Sequence, residues 1–260
     1  MMREAATVML VRDSPDLHVF MLRRNLESRF VAGASVFPGG AVDPGDRATA
    51  LLERCHGHTD DDASRQLGLS SGGVGFWVAA IREAFEEAGV LLARQAASGD
   101  PIDLADTVTA ARLEAARPAV ALGARPFLDV VIDEDLLIDV GALHPFAHWI
   151  TPPGAPRRYD TWFFVADAPA GHAYLHDDRE TVASDWVRPA DALARAEAGE
   201  LELIFPTMRS LAVLANYPSA DALLADVRDA TAAARIRMVR DFNGERVALP
   251  GDPADAEGVA

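Results

Sequence analysis

Residues 77–92 read WVAAIREAFEEAGVLL. Ala79, Ala80, Ala84 and Phe85 recur with the spacing of one helical face, and neither Pro nor Gly interrupts before Gly89, which reads as a C-terminal stop. The periodicity predicts one helix over about residues 77–88. On it Glu83, Glu86 and Glu87 stand at i, i+3 and i+4, so three carboxylates crowd one side. Like charges at that spacing cost on the order of a few tenths of a kcal/mol per pair. Only Arg82, four residues before Glu86, offsets them locally. A helix that tolerates this repulsion is expected to hold a cation. Hard divalent ions such as Mg2+ take oxygen ligands and keep positions for water and substrate phosphate. Charge runs also commonly form a solvated face, and the helix by itself leaves both readings open.

The upstream stretch at residues 37–46, FPGGAVDPGD, favours the first. Together the two segments resemble a Nudix box, whose pattern is Gly, five residues, Glu, seven residues, then R-E-U-x-E-E-x-G-U with U aliphatic. Gly40 stands at the first Gly, Arg82 and Glu83 at R-E, Glu86 and Glu87 at E-E, Gly89 at the second Gly and Val90 at the closing aliphatic. Three positions depart from the pattern. Asp46 replaces its Glu, Ala84 occupies its first aliphatic position, and 35 residues (47–81) separate Asp46 from Arg82 where the pattern has seven. Such an insertion is similar to that of a CoA and acyl-CoA diphosphatase-like branch of the Nudix hydrolases, for which FPGG and REAFEEAGVLLAR are typical.

Arg24, Arg29, Gly33 and the FPGG of residues 37–40 resemble, in spacing, a second motif of CoA-directed Nudix hydrolases. Asn25 and the preceding Phe20-Met21-Leu22 depart from it. CoA carries a 3′-phosphate beside its diphosphate, and Arg binds phosphate in a bidentate way, so Arg24 and Arg29 are expected to bind substrate there. Residues 144–153, 158–164 and 205–207 resemble later parts of the same branch. The resemblance spans about residues 5–227.

The resemblance implies an α+β Nudix fold, a mixed sheet between helices. It implies metal-dependent hydrolysis of a phosphoanhydride, with CoA or acyl-CoA giving 3′,5′-ADP and (acyl-)phosphopantetheine. Glu83, Glu86 and Glu87 are then the expected ligands of Mg2+ or Mn2+, and Glu86 is equally a candidate base. Arg82 is expected to orient Glu86 or another acid of the cluster. The backbone at Gly39 and Gly40 is expected to lie against metal or phosphate. Glu180 follows Asp177-Asp178-Arg179, in a part of the chain from which a Nudix fold often brings a loop acid towards the metals, and is a candidate water-activating base; an acidic surface loop is the competing reading. Two other functions stay open: a Nudix pyrophosphatase for NADH, ADP-ribose or dinucleotide polyphosphates, and a non-catalytic nucleotide sensor.

Charge bears on partners. The chain has 40 acidic and 24 basic residues, and a net charge of −16 disfavours nucleic acid and anionic membranes, whose phosphates demand clustered cations. A small polyanion is still accessible if local Arg residues and a metal overcome the general field. The single cysteine, Cys55, excludes an internal disulfide framework. With no second Cys beside it, Cys55 with His56 and His58 is not expected to bind zinc, and His144 with His148 is read as strand and turn residues around Trp149. No apolar run reaches the length of a membrane span and no signal-peptide layout is seen, so a cytoplasmic protein is expected. A CoA-type small molecule is the expected partner, and a homodimer is compatible with the sequence.

Two apolar runs at residues 5–11 and 17–22, split by Asp13-Ser14-Pro15-Asp16, predict a hairpin. Helices are expected over about 48–55, 60–67, 105–117, 126–136, 189–198, 207–216 and 220–234, and strands over 143–150, 159–166 and 184–187. One domain is therefore expected over 1–235, with helical insertions at about 47–76 and 100–137, followed by a partly disordered extension at 236–260.

Overall fold

The computed structural model describes residues 2–26, 33–104, 106–151, 154, 157–172, 174–177, 179–229, 239–240 and 247–248. The central sheet is built on β1 (Met2–Asp13), which turns back into β2 (Leu17–Arg24) as the expected antiparallel hairpin. Two short strands follow. β3 (Ser35–Val36) pairs with β2, and β4 (Gly39–Ala41) pairs with β1 through Ala6 opposite Gly40 and Thr7 opposite Gly39.

The box insertion then leaves the sheet. A 3-10 turn, Pro44–Arg47, leads into α1 (Thr49–Leu52), β5 (Cys55–His56) and α2 (Asp60–Leu67). The chain returns in α3 (Val74–Ala88), followed by β6 (Ala93–Gln95). A second excursion comprises α4 (Thr107–Ala121), α5 (Phe127–Asp133) and β7 (Leu136–Asp139). The sheet resumes with β8 (His144–Ile150), β9 (Arg158–Asp167) and β10 (Thr181–Val187). Then come α6 (Pro189–Glu197), α7 (Phe205–Leu214) and α8 (Ala220–Asp229). Two short strands, β11 (Val239–Arg240) and β12 (Val247–Ala248), pair with each other, and the rest of the expected extension lies outside the described residues.

The main order is β10-β2-β1-β9-β8, with β1 parallel to β9 over ten residue pairs and the neighbouring pairings antiparallel. This mixed sheet is covered on both faces. Val8, Leu10, Phe20, Leu22, Trp162 and Phe164 pack with Trp77, Ile81 and Phe85 of α3. Met9, Val11, Val19, Phe163 and Val165 pack with Ala192, Leu211, Leu214, Leu223 and Val227 of α6, α7 and α8. Because each face of β1 is buried, its inner residues form a continuous apolar run with no alternation. This is the α+β arrangement, a mixed sheet between helices, that the resemblance implies. No helix among the described residues is long and apolar enough to cross a membrane.

The insertions are less purely helical than expected. α1 stops at Leu52, and Cys55–His56 pairs in parallel with Leu136–Asp139, which also pairs with Ala93–Gln95. The apolar run expected as one helix over 126–136 thus ends at Asp133 and finishes as the middle strand of a second, three-stranded sheet. Strands of two to four residues carry too little periodicity to distinguish them from helix ends. α3 also starts earlier, at Val74. The Asp60 carboxylate accepts from the N–H groups of Gly72 and Val74 at 2.8 and 3.1 Å, and Ser64 Oγ from that of Gly73 at 2.9 Å. The insertion thereby caps amide groups that would otherwise have no partner at the helix start.

Candidate active site

α3 ends as its sequence predicts, at Gly89 in the left-handed region (φ 65°). Its last two turns carry Glu83, Glu86 and Glu87 towards β4. The N–H of Gly39 donates to Glu87 Oε2 at 3.0 Å. A Cβ at Gly40 would lie 2.4 Å from Glu83 Oε1, and one at Gly39 would lie 2.5 Å from the Ala6 carbonyl oxygen and from Thr7 Oγ1. Close approach of backbone to acid and to β1 is therefore what requires glycine at both positions.

Arg82 organises the other side. Its Nε and one Nη donate to the two oxygens of Asp46 at 2.8 and 3.0 Å. The second Nη donates to Glu83 Oε1 at 2.9 Å and Glu86 Oε1 at 3.0 Å, and the carbonyl of Ala41 is met at 2.8 Å. Asp46 and Arg82 are close despite the 35 residues between them, and both are buried. The shorter Asp suffices because the 3-10 turn folds it inward, where its Oδ2 also accepts from the Asp43 N–H at 2.7 Å.

Burial penalises the charged form of the acids. It pushes the Glu83 carboxyl up to about 7, against the opposing pull of Arg82. It also raises Glu86, again against Arg82. Glu87 is raised well above the ordinary glutamate range, by burial first and then by the charge of Glu83; the Gly39 N–H and Arg24 oppose the shift, and Glu180 adds to it. For Arg82, burial favours the neutral form, but its bonds to Asp46 and the charges of Glu83, Asp46 and Glu86 outweigh it and raise the pKa.

Arg24 and Glu180 complete this side. Arg24, at the end of β2 opposite Thr181, lies 3.7 Å from the exposed Glu180 carboxylate. Its Nε is buried with no hydrogen-bond partner among the described residues. The Glu180 loop is held by its backbone: the Asn25 N–H donates to the Glu180 carbonyl at 2.8 Å, and the Asp177 carboxylate accepts from the N–H groups of Arg179, Glu180 and Thr181. Arg29 lies outside the described residues.

Comparison with known proteins gives the chain its family. The family model of the NUDT19 Nudix domain fits residues 59–214. The chain belongs to this family. The Nudix chain is 31% identical to the human acyl-coenzyme A diphosphatase NUDT19 over 232 residues, which cover 77% of it and 61% of the human protein. It thus spans about 61% of that relative's length. The Gallus gallus protein of the same name is 29% identical, with 84% and 69% covered. The crystal structure of a NUDIX hydrolase from Alicyclobacillus acidocaldarius superposes with a TM-score of 0.67 at 30% identity, covering 86% of this chain and 96% of that one.

Nudix hydrolases generally use divalent metal ions. Among the described residues of this Nudix chain, no group of three or more His, Cys, Asp or Glu side chains is placed, as it stands, to hold a metal ion. Glu83, Glu86 and Glu87 all offer carboxylate oxygens, the ligand type that hard divalent cations take. His148 stacks on Trp162 and pairs with Asp160, and His144 Nε2 lies 3.3 Å from Arg228 Nε. One neighbour of the acids had no signal in the sequence. Arg117 of α4 is buried and reaches the carbonyl of Glu86 at 2.9 Å.

Proposed function

We propose that the chain hydrolyses a phosphoanhydride in CoA or an acyl-CoA, giving 3′,5′-ADP and (acyl-)phosphopantetheine. The observation that carries this reading is the Gly39 N–H on buried Glu87, within an acid cluster held from its other side by Arg82. The substrate class rests on the names of the human and chicken relatives, both acyl-coenzyme A diphosphatases.

Water adds to one phosphorus of the diphosphate, the bridging P–O bond breaks, and its electron pair leaves with the departing phosphate. Glu83 and Glu87 would hold Mg2+ or Mn2+, with Glu86 as the third acid. When bound, the ion supplies positive charge to the diphosphate oxygens and to the charge developing on the leaving group. The chain's own residues set the geometry. Arg82 fixes Glu83 and Glu86 through one nitrogen while Asp46 fixes Arg82 in turn. Gly39 and Gly40 let the β4 backbone close on the acids without a Cβ in the way. Glu180, exposed beside Arg24, takes the proton of the attacking water.

The position of Arg24 beside Glu87 and Glu180 supports reading it as a diphosphate contact in preference to a 3′-phosphate contact. Arg24→Ala is expected to lower kcat/KM about equally, by roughly 10- to 100-fold, on CoA and on 3′-dephospho-CoA. Steady-state kinetics on the two substrates check this. A loss confined to CoA would return Arg24 to the 3′-phosphate.

The function itself is tested with a panel of CoA, acyl-CoAs, NADH, ADP-ribose and diadenosine polyphosphates with Mg2+ or Mn2+, products read by chromatography. CoA or an acyl-CoA is expected to give the highest kcat/KM. A higher value for any of the others would overturn the substrate reading, and no turnover of any substrate would overturn hydrolysis.

A further inference from the structure

The guanidinium of Arg117 makes two contacts with backbone carbonyls from segments far apart in sequence. Nε donates to the carbonyl of Glu86 at 2.9 Å, and one Nη to that of Leu175 at 2.8 Å. The first acceptor lies in the last turn of α3, between the side chains of Glu86 and Glu87. It is among the carbonyls that the helix cannot satisfy itself, since the closing Gly89 and Val90 amides go to Phe85 and Ala84. The second acceptor lies two residues before Asp177, whose carboxylate gathers the amides of Arg179, Glu180 and Thr181. Arg117 is buried, and its remaining charged neighbour, Glu114, is exposed and 3.7 Å away. Gly89 makes room for it, since a Cβ there would lie 3.0 Å from Arg117 Nη1.

We infer that Arg117 is a positioning residue, which fixes the Glu180 loop against the helix turn bearing Glu86 and Glu87. A planar fork of donors can serve two carbonyls at once, whereas the single ammonium of Lys cannot reproduce its fixed directions. A cation at a helix C-terminus is also favoured by the helix dipole. The second helical excursion thereby acquires a role in the site: α4 supplies the tie. This inference rests on the proposed hydrolase reading only for its kinetic consequence; the tie between loop and helix is tested without turnover.

The experiment uses the full chain with Arg117→Lys, Arg117→Gln and, as control, Glu114→Gln. In hydrogen exchange, both Arg117 variants are expected to lose protection at residues 174–177 and 179–180 and at the end of α3, with the sheet strands unchanged. Glu114→Gln is expected to match wild type. In turnover of CoA, Arg117→Lys is expected to lower kcat on the order of 10- to 100-fold, with KM within about threefold, as small misplacement of reacting groups does. The loss is expected to shrink to less than about threefold when measured in a Glu180→Gln background, because the two residues act in one chain of cause. Wild-type exchange in both Arg117 variants would overturn the tie. Equal losses from Arg117→Lys with and without Glu180→Gln would overturn the positioning role and leave Arg117 a purely structural residue. A wild-type chain without turnover of CoA would instead strike the hydrolase reading, and exchange would still decide the tie.

Discussion

Glu87→Gln is expected to lose on the order of 100- to 1000-fold in kcat while the protein still folds. Gln keeps the shape and can still accept the Gly39 N–H, which Glu87 meets at 3.0 Å. What it removes is the charge that a divalent ion needs. The same substitution has a signature in stability that requires no substrate. The folded-state carboxyls of Glu87 and Glu83 are both raised above their ordinary value of 4.5, Glu83 to about 7. Between the unfolded and folded values the native chain binds more protons than the unfolded one, so stability falls as pH rises through that window. Without metal, these two carboxyls should therefore contribute more stability near pH 4 than near pH 8, against His58, His144 and His172, whose burial lowers their pKa and acts in the opposite sense. Glu87→Gln should flatten that fall, with a higher Tm than wild type near pH 8 and little difference near pH 4. Thermal melts in chelator at the two pH values, with kinetics alongside, check both halves. Turnover at the wild-type rate in the Gln variant would end metal catalysis at this helix.

Arg82→Ala has the largest expected effect on stability. It strands Asp46, which is 1% exposed, and strips Glu83 and Glu86 of their shared cation. Removing one partner of a buried ion pair typically costs about 3–5 kcal/mol, because the remaining charge keeps its desolvation penalty. Arg82→Lys should recover only part of this, since one ammonium cannot bridge both Asp46 oxygens and both glutamates. Urea unfolding with an unchanged m value is the measurement. A loss below about 1 kcal/mol would show that the Arg82 and Asp46 contact does not anchor the two ends of the interrupted box.

The reach of the sequence differed between the parts of this site. α3 was legible because its register is local: apolar residues at helical spacing, an uninterrupted run and a terminal glycine specify a helix whatever surrounds it. The same register put three acids on one side, and the double glycine of β4 marked where backbone would come close. The hairpin of β1 and β2 was legible for a similar reason, a turn cluster between two apolar runs.

The tertiary structure alone decided what the acids meet. β1 lies parallel to β9 about 150 positions away, with Met2 opposite Arg158, and nothing local in either strand names its partner. Strands as short as Cys55–His56 and Leu136–Asp139 exist because a ladder formed between them, so the helices expected over 48–55 and 126–136 ran too far at their ends. Helix spacing placed Arg82 near Glu86, but only the folded turn at residues 44–47 delivered Asp46 to its guanidinium. Arg117 is the extreme case. Its carbonyl partners lie 31 and 58 residues away, and burial converts an arginine indistinguishable from a solvated one into a tie between helix and loop. Spacing along the chain encodes what one helix or turn can present. The dielectric, the close approaches and the choice of partners arise only when segments distant in sequence exclude water between them.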